Sequence, residues 1–411
     1  MRLPPALHHR NYRLYFAGQG LSVLGTWMQR MAMPWLVYRL SGSELLLGVT
    51  GFISNFPVLL LAPLGGLLAD RVDRRKLLAI TQVLAMLQAF ALAALTWTGT
   101  TQVWHVLALA GVLGVINAFD TPTRQSLAVE LLDDRRDLPS AIALNSLVNN
   151  SGRLIGPSVA GLLLAAFSES VCFLVNALSY VAVLAALFCM RITPLPRVHL
   201  KRSLGSDLHG AFTTAWCFPP IRLTLVMVVL VGFLVMPYTT LMPAFVAVLG
   251  GGAHTMGFLI SAAGVGAVSG AAFLAWRPSI AGLWRVLALA AGTTGAGLAL
   301  VALSPSPWLS GLLMIAVGFG AIIASASANT ILQSIVADDM RGRIASLYTM
   351  AFMGMSPLGA LALGALAEAA GIRVAFVVGG TLCVFGALLF ARRLPALRRR
   401  LAQEQPSIIL P

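Results

Sequence analysis

Charge is what this chain has least of. Only 10% of its 411 residues are Asp, Glu, Lys or Arg, against 58% hydrophobic, and its mean hydropathy is +0.86. A water-soluble chain of this size needs far more charged surface, so a soluble globular protein is excluded. Lysine is nearly missing: Lys76 and Lys201 stand against 26 arginines. Neither lysine follows a glycine, so no Gly-Lys-Ser/Thr phosphate loop exists and this chain alone is not an ATP-driven pump. The four cysteines (Cys172, Cys189, Cys217, Cys383) and six histidines have no metal-ligand spacing, so neither a metal nor a cofactor is expected. The 14 acids are placed in loops or at the ends of apolar runs, none in the middle.

What is present is a series of apolar runs. Twelve spans are predicted, at 14–38, 46–68, 77–98, 103–121, 140–166, 170–190, 222–248, 255–276, 284–303, 308–333, 344–368 and 372–391. A membrane-spanning helix needs about 20 mostly apolar residues, and lipid leaves an open backbone without partners. The expectation is an all-α integral membrane protein of twelve transmembrane helices in two pseudo-symmetric six-helix bundles. The first run, Leu14–Val37, is too long for a signal-peptide core and is expected to be a retained helix. With this numbering, 24 of the 28 bases fall at the amino terminus, at even-numbered exits and in the tail; Arg39 and Arg373 lie on the other side, and Arg30 and Arg153 inside spans. Bases gather in cytoplasmic loops, which predicts both termini in the cytoplasm and a multi-pass protein of the cell inner (plasma) membrane. The formal charge of +14 is therefore read as contact with anionic lipid headgroups at the cytoplasmic face, not with nucleic acid. A monomer is expected.

Residues 1–190 are predicted to be an N-terminal six-helix bundle, 191–220 a cytoplasmic central loop, 221–392 the C-terminal bundle and 393–411 a basic cytoplasmic tail. Ser203–Phe218 has the pattern of a short amphipathic helix on the membrane. The halves read as copies: Gln125–Glu130 recurs as Gln333–Asp338, Arg13-Leu14 as Arg222-Leu223, and Gly156-Pro157 as Ser356-Pro357, at offsets of 208, 209 and 200.

Two helices carry polar residues at three-to-four-residue spacing, hence on one face: Gln19, Ser22, Thr26 and Arg30 on the first, and Asn145, Asn149 and Arg153 on the fifth. A mid-membrane arginine costs about 2.5–3.5 kcal/mol on insertion scales, so each should face a wet cavity or a partner; for Arg153, snorkelling to an interface is the alternative. Two cations without a mid-span acid predict a cavity for an anionic or strongly hydrogen-bonding substrate, because the guanidinium fork suits carboxylate or catecholate-like oxygens. Asn55, Asn117, Tyr238, Asn329 and Gln333 are further cavity candidates, with interhelical hydrogen bonding as the structural alternative.

A knot of two acids and four bases, Gly66-Leu-Leu-Ala-Asp70-Arg71-Val-Asp73-Arg74-Arg75-Lys76, lies between two uncharged runs. It resembles the loop between the second and third helices of the major facilitator superfamily, matching at Gly66, Asp70, Arg71, Arg74 and Arg75 and departing at Asp73, where a second glycine is usual. The resemblance implies an inner gate in which Asp70 docks at the start of the eleventh helix near Arg343, and Arg74 pairs with an acid at the cytoplasmic end of the fourth, here Asp120. Ser151–Gly161, with Gly152, Gly156, Pro157 and Gly161, is similar to the fifth-helix motif of superfamily exporters. Asn117–Gln125, including Arg124, together with Arg341-Gly342-Arg343, resembles the branch holding enterobactin and macrolide exporters. The function implied is secondary active transport by alternating access: proton-coupled efflux of a siderophore-, macrolide- or drug-like molecule, with the proton gradient as energy source. Import or passive facilitation by the same fold, and an intramembrane enzyme, are the alternatives. With no mid-span acid expected, the proton carrier is read as a gate acid such as Asp70 or Asp120, or as competition in the arginine-lined cavity.

Overall fold

The computed structural model describes residues 4–132, 134–191, 212, 216–277, 282–336 and 340–404, with side chains to residue 395 apart from that of Arg135. Most of the central loop, including most of its predicted amphipathic segment, therefore lies outside the described residues, as do Asp338 and the side chains of the tail from residue 396. Among the described residues there are thirteen α-helices and no strand. They are α1 (Arg10–Ser41), α2 (Glu44–Arg71), α3 (Arg74–Trp97), α4 (Val103–Glu130), α5 (Leu138–Ala166), α6 (Glu169–Cys189), α7 (Pro219–Leu234) and α8 (Tyr238–Val248). The rest are α9 (Ala253–Ala275), α10 (Leu283–Leu303), α11 (Pro307–Ile335), α12 (Arg341–Ala370) and α13 (Ile372–Glu404).

Among the described residues ten stretches are long and apolar enough to cross a membrane, α7 and α8 counting as one from Pro219 to Val248. The predicted seventh span is thus broken at Val235–Pro237, where proline removes a backbone donor. The two long helices outside this set are α1 and α5, which carry the polar faces read from the sequence. Large apolar side chains point outward all along the spans, among them Leu60, Leu84, Leu162, Leu289 and Leu312. Trp97, Trp104, Trp276 and Trp308 are exposed at helix ends, the place an amphipathic indole takes at a membrane surface.

The chain forms two compact units. The first comprises residues 1–42, 53–200 and 251–261. Its core packs Tyr12 and Tyr15 of α1 with Leu78 of α3, Leu127 of α4, Leu144 of α5 and Val183 and Leu187 of α6. The Tyr12 hydroxyl donates to the Ala141 carbonyl at 2.8 Å, and Arg39 grips Glu169 through Nε (2.7 Å) and Nη2 (3.3 Å), so α1 is tied to its neighbours at both ends.

The second unit comprises residues 43–52, 201–250 and 262–411. Here the first turns of α2 lie on α12. Glu368 accepts from the Leu45 N–H (3.0 Å) and the Ser43 hydroxyl (2.8 Å), a carboxylate on the positive end of a helix. A Cβ on Gly364 would stand 2.8 Å from the Gly48 Cα, so glycine is what lets these two backbones meet.

Candidate functional site

Two residues, Val72 and Asp73, separate α2 from α3, so the charged knot is a tight turn. The Asp73 carboxylate accepts the N–H groups of Arg75 (2.9 Å) and Lys76 (3.1 Å) and caps α3. This accounts for an acid where a glycine was expected from the resemblance. Arg74 holds the turn together: Nε donates to the Ala69 carbonyl (3.1 Å), Nη2 to Asp70 (3.0 Å) and Nη1 to Glu130 (3.4 Å). Arg75 donates to the Phe188 carbonyl at 3.1 Å. Gly66 looks onto open space, and Asp70 and Arg71 are exposed.

The acid at the end of α4 that meets Arg74 is Glu130, not Asp120. The sequence reading stopped the fourth span at residue 121, where Asp120, Pro122 and Arg124 follow one another. In the structure α4 runs through Pro122 to Glu130, which leaves Asp120 about 15 Å up the helix at 1.5 Å per residue. Glu130 was overlooked although it is the only acid of the Gln125–Glu130 repeat.

The same shift corrects the expectation that no acid lies within a span. Asp120 is 4% exposed. Its Oδ1 accepts from the Thr81 hydroxyl (3.0 Å) and from Gln82 Nε2 (2.7 Å), both on α3. Its Oδ2 pairs with Arg124 Nη2 at 2.8 Å, and Arg124 Nη1 reaches Gln19 Oε1 on α1 at 3.5 Å. Arg124 and Arg153 lie within electrostatic reach of Arg30, whose guanidinium sits 5.2 Å from the centre of the Trp27 ring. The structure thus brings the polar faces of α1 and α5 into one charged field, in which Arg124 pairs with the Asp120 carboxylate and acts, with Arg153, on Arg30.

Beside this field runs a buried amide chain. Asn176 Nδ2 donates to Gln29 Oε1 (2.6 Å), Gln29 Nε2 to Gln88 Oε1 (2.9 Å), and Gln88 Nε2 to the Leu109 carbonyl (3.2 Å). It joins α6, α1, α3 and α4, and sequence reasoning missed it because each glutamine stands alone in an apolar run. The Thr26 hydroxyl returns to the Ser22 carbonyl and bonds Tyr180. Asn149 donates to the Asn145 carbonyl (2.9 Å), while Asn117 is half-buried on α4 and Asn55 exposed on α2.

In the second unit, Gln333 Nε2 donates to Asn329 Oδ1 (3.0 Å) and Arg341 Nε to the Gln333 carbonyl (3.1 Å). With Thr330 and Ser334 these residues line a cavity of about 280 Å³. Arg343 stands one turn into α12, and Tyr238, 2% exposed at the start of α8, is not part of that lining.

The α5 motif is a contact surface. A Cβ on Gly156 would stand 2.5 Å from the Trp27 Cβ, and one on Gly161 3.0 Å from the Gly257 Cα of α9. Gly152 likewise faces Val23 and Trp27, and the Pro157 carbonyl faces Gly257. Ser158 and Ser261 share a 2.6 Å hydrogen bond along the same seam.

Comparison with known proteins decides the family. The model of the transmembrane secretion effector family matches residues 4–407. The chain belongs to that family, within the major facilitator superfamily. It is a multi-pass membrane transporter and not an enzyme. It is 26% identical to the staphyloferrin A transporter of Staphylococcus aureus, over 93% of this chain and 96% of that one. It is 24% identical to the multidrug efflux pump Tap of Mycolicibacterium fortuitum, over 88% of each. The solved nucleoside transporter NupG superposes on 94% of this chain with a TM-score of 0.73 at 15% identity, a likeness of fold.

Proposed function

We propose that the transporter is a proton-coupled exporter of the plasma membrane, with twelve spans in two six-helix bundles and both termini in the cytoplasm, working by alternating access. Residues 1–190 and 221–392 form the two bundles, joined by the loop 191–220 and followed by a basic tail from 393. The Asp70–Arg74–Glu130 cluster, with Arg71 and Arg75, is the gating element of the first unit, and Arg341 and Arg343 are the gating candidates of the second. The observation that carries this reading is the charged field of Arg30, Arg124 and Arg153, with one buried acid, Asp120, paired to Arg124. Such a field is costly in a membrane unless it meets a ligand. It suits a polar molecule that offers oxygen acceptors to the arginines and a hydrogen-bond donor or cation to Asp120. Thr26, Asn117, Asn145 and Asn149 add hydrogen-bonding capacity in the first unit, and Asn329 and Gln333 are the candidate substrate contacts of the second unit. Full-length similarity to proteins named for staphyloferrin A transport and multidrug efflux supports a small-molecule cargo and an outward direction.

One observation favours a second reading. A proton on Asp120 leaves Arg124 without its counter-ion, so a purely anionic substrate would bind together with the proton, and the fold would then serve import. The test is a comparison of cells with and without the gene for secreted and cell-associated small molecules. Export predicts a compound enriched outside and depleted inside when the gene is expressed; the reverse distribution refutes export.

A further inference from the structure

We propose that Asp120 is the residue that binds the transported proton and that Arg124 is the counter-ion it releases. This rests on the proton-coupled reading above and names the group that carries the proton. Three observations converge on it. The first is position: the other described acids lie in turns or in the first or last turn of a helix, whereas Asp120 stands about 15 Å inside α4.

The second is a set of incomplete partners around the pair. Among the described residues, the Tyr15 hydroxyl, Gln19 Nε2 and Gln82 Oε1 are buried polar atoms with no hydrogen-bond partner. Their residues are 3%, 4% and 3% exposed. Gln19 and Gln82 hold the two members of the pair through their other amide atoms, Gln19 accepting from Arg124 and Gln82 donating to Asp120. Tyr15 is one turn before Gln19 on the same face of α1 and feels the charges of both Asp120 and Arg124. An unpaired buried polar atom costs about 1–3 kcal/mol. Water at these atoms, bridging those within its reach, supplies the missing partners. Such a water delivers the proton.

The third is the charge balance. Arg124 faces Asp120 from its own helix, Tyr15 from α1 and Tyr180 from α6, and α3 presents only the uncharged Thr81 and Gln82. Arg124 in turn acts on Arg30 of α1, which also feels Arg153 of α5. Proton transfer from the bridging water, itself replenished from bulk water, forms an O–H bond on Asp120 Oδ2. It breaks the ion pair with Arg124, while Oδ1 keeps its bonds from Thr81 and Gln82. Arg124 is then left without its carboxylate and within reach of Arg30, a change in field that a charged or polar ligand nearby must feel. Proton release to the same water restores the pair.

The test needs no substrate. Infrared difference spectra of the protein in lipid nanodiscs, titrated across the pH range in which it stays folded, report carboxyl groups that gain a proton through their C=O stretch. The expected result is a reversible band that is lost in Asp120→Asn and retained in Asp70→Asn and Glu130→Gln. Should Asp120→Asn fail to fold, carbon-13 labelling of aspartate side chains in the unmodified chain must shift the band, and it must persist in the Asp70→Asn background. A band that survives Asp120→Asn, or an Asp120 that stays ionised throughout, overturns the proposal. Proton flux in proteoliposomes is measured separately, so a protein that pumps protons through another group sinks this assignment and leaves proton coupling standing.

Discussion

Glu130→Gln is the sharpest probe of the clasp, because it removes charge and keeps shape. Arg74 Nη1 lies 3.4 Å from Glu130 and Nη2 3.0 Å from Asp70. At an effective dielectric of about 20, unit charges this far apart attract by about 5 kcal/mol. Solvent returns most of that. The Arg74 side chain is 30% exposed and Asp70 68%, but Glu130 only 15%. The Asp70 arm therefore behaves as a surface pair worth about 0–1 kcal/mol, and the Glu130 arm, less screened, contributes about 1–2 kcal/mol. One to two kcal/mol is a factor of about 5–30 in a local opening equilibrium. The assay is amide hydrogen exchange over residues 68–77, where opening of the turn exposes the N–H groups that Asp73 holds. Glu130→Gln is expected to speed exchange there by about 5–30-fold, and Asp70→Asn by less. An Asp70→Asn effect equal to or larger than that of Glu130→Gln would refute this ranking and the burial argument behind it.

Asp73→Ala removes the α3 cap and should cost about 0.5–2 kcal/mol, while Asp73→Gly should cost only a few tenths; thermal unfolding followed by labelling of buried Cys172, with the exposed Cys189 and Cys217 changed to serine, distinguishes the two. A Cβ on Gly257 would stand 2.7 Å from the Pro157 carbonyl, so Gly257→Val should destabilise by about 1–3 kcal/mol in the same assay, with Gly66→Ala, which meets open space, as the neutral comparison. Arg30→Ala should weaken binding of an oxygen-rich exported compound by about 10–100-fold, the worth of a charge-assisted hydrogen bond of about 1.5–3 kcal/mol; unchanged concentration dependence of transport would remove Arg30 from the substrate field.

The helical class and the charged turn were legible because they depend on short-range pattern: runs without charge, and bases that cannot stay in lipid. The polar faces of α1 and α5 were legible for the same reason, through their three-to-four-residue spacing. What the pattern hid were places where a helix tolerates residues that usually end one. Pro122 lies inside α4, and the polar run Asp120–Arg124 looked like a terminus because its side chains satisfy one another and their neighbours across the bundle, which no local window contains. That single misplaced end moved the clasp acid from Glu130 to Asp120 and hid the buried carboxylate. The amide chain Gln29–Gln88–Asn176 was illegible for a related reason. Each member is costly alone in an apolar run, and only three-dimensional packing supplies the partners.

The Asp120–Arg124 pair also links the charge of a cargo to the direction in which protons can drive it. Binding is reciprocal: whatever favours the proton on Asp120 is favoured by it in return. An anion that takes Arg124 draws the guanidinium from the carboxylate and makes protonation easier, so anion and proton travel together. A hydrogen-bond donor or cation that takes Asp120 excludes the proton, so the two alternate, which is what outward transport against an inward proton gradient requires. Positive charge alone therefore does not make the field an exporter of anions. The arginines recognise oxygens, but it is the donor a cargo offers to Asp120 that sets the sense of coupling. Cargo with both features fits efflux, and cargo with oxygens alone fits uptake.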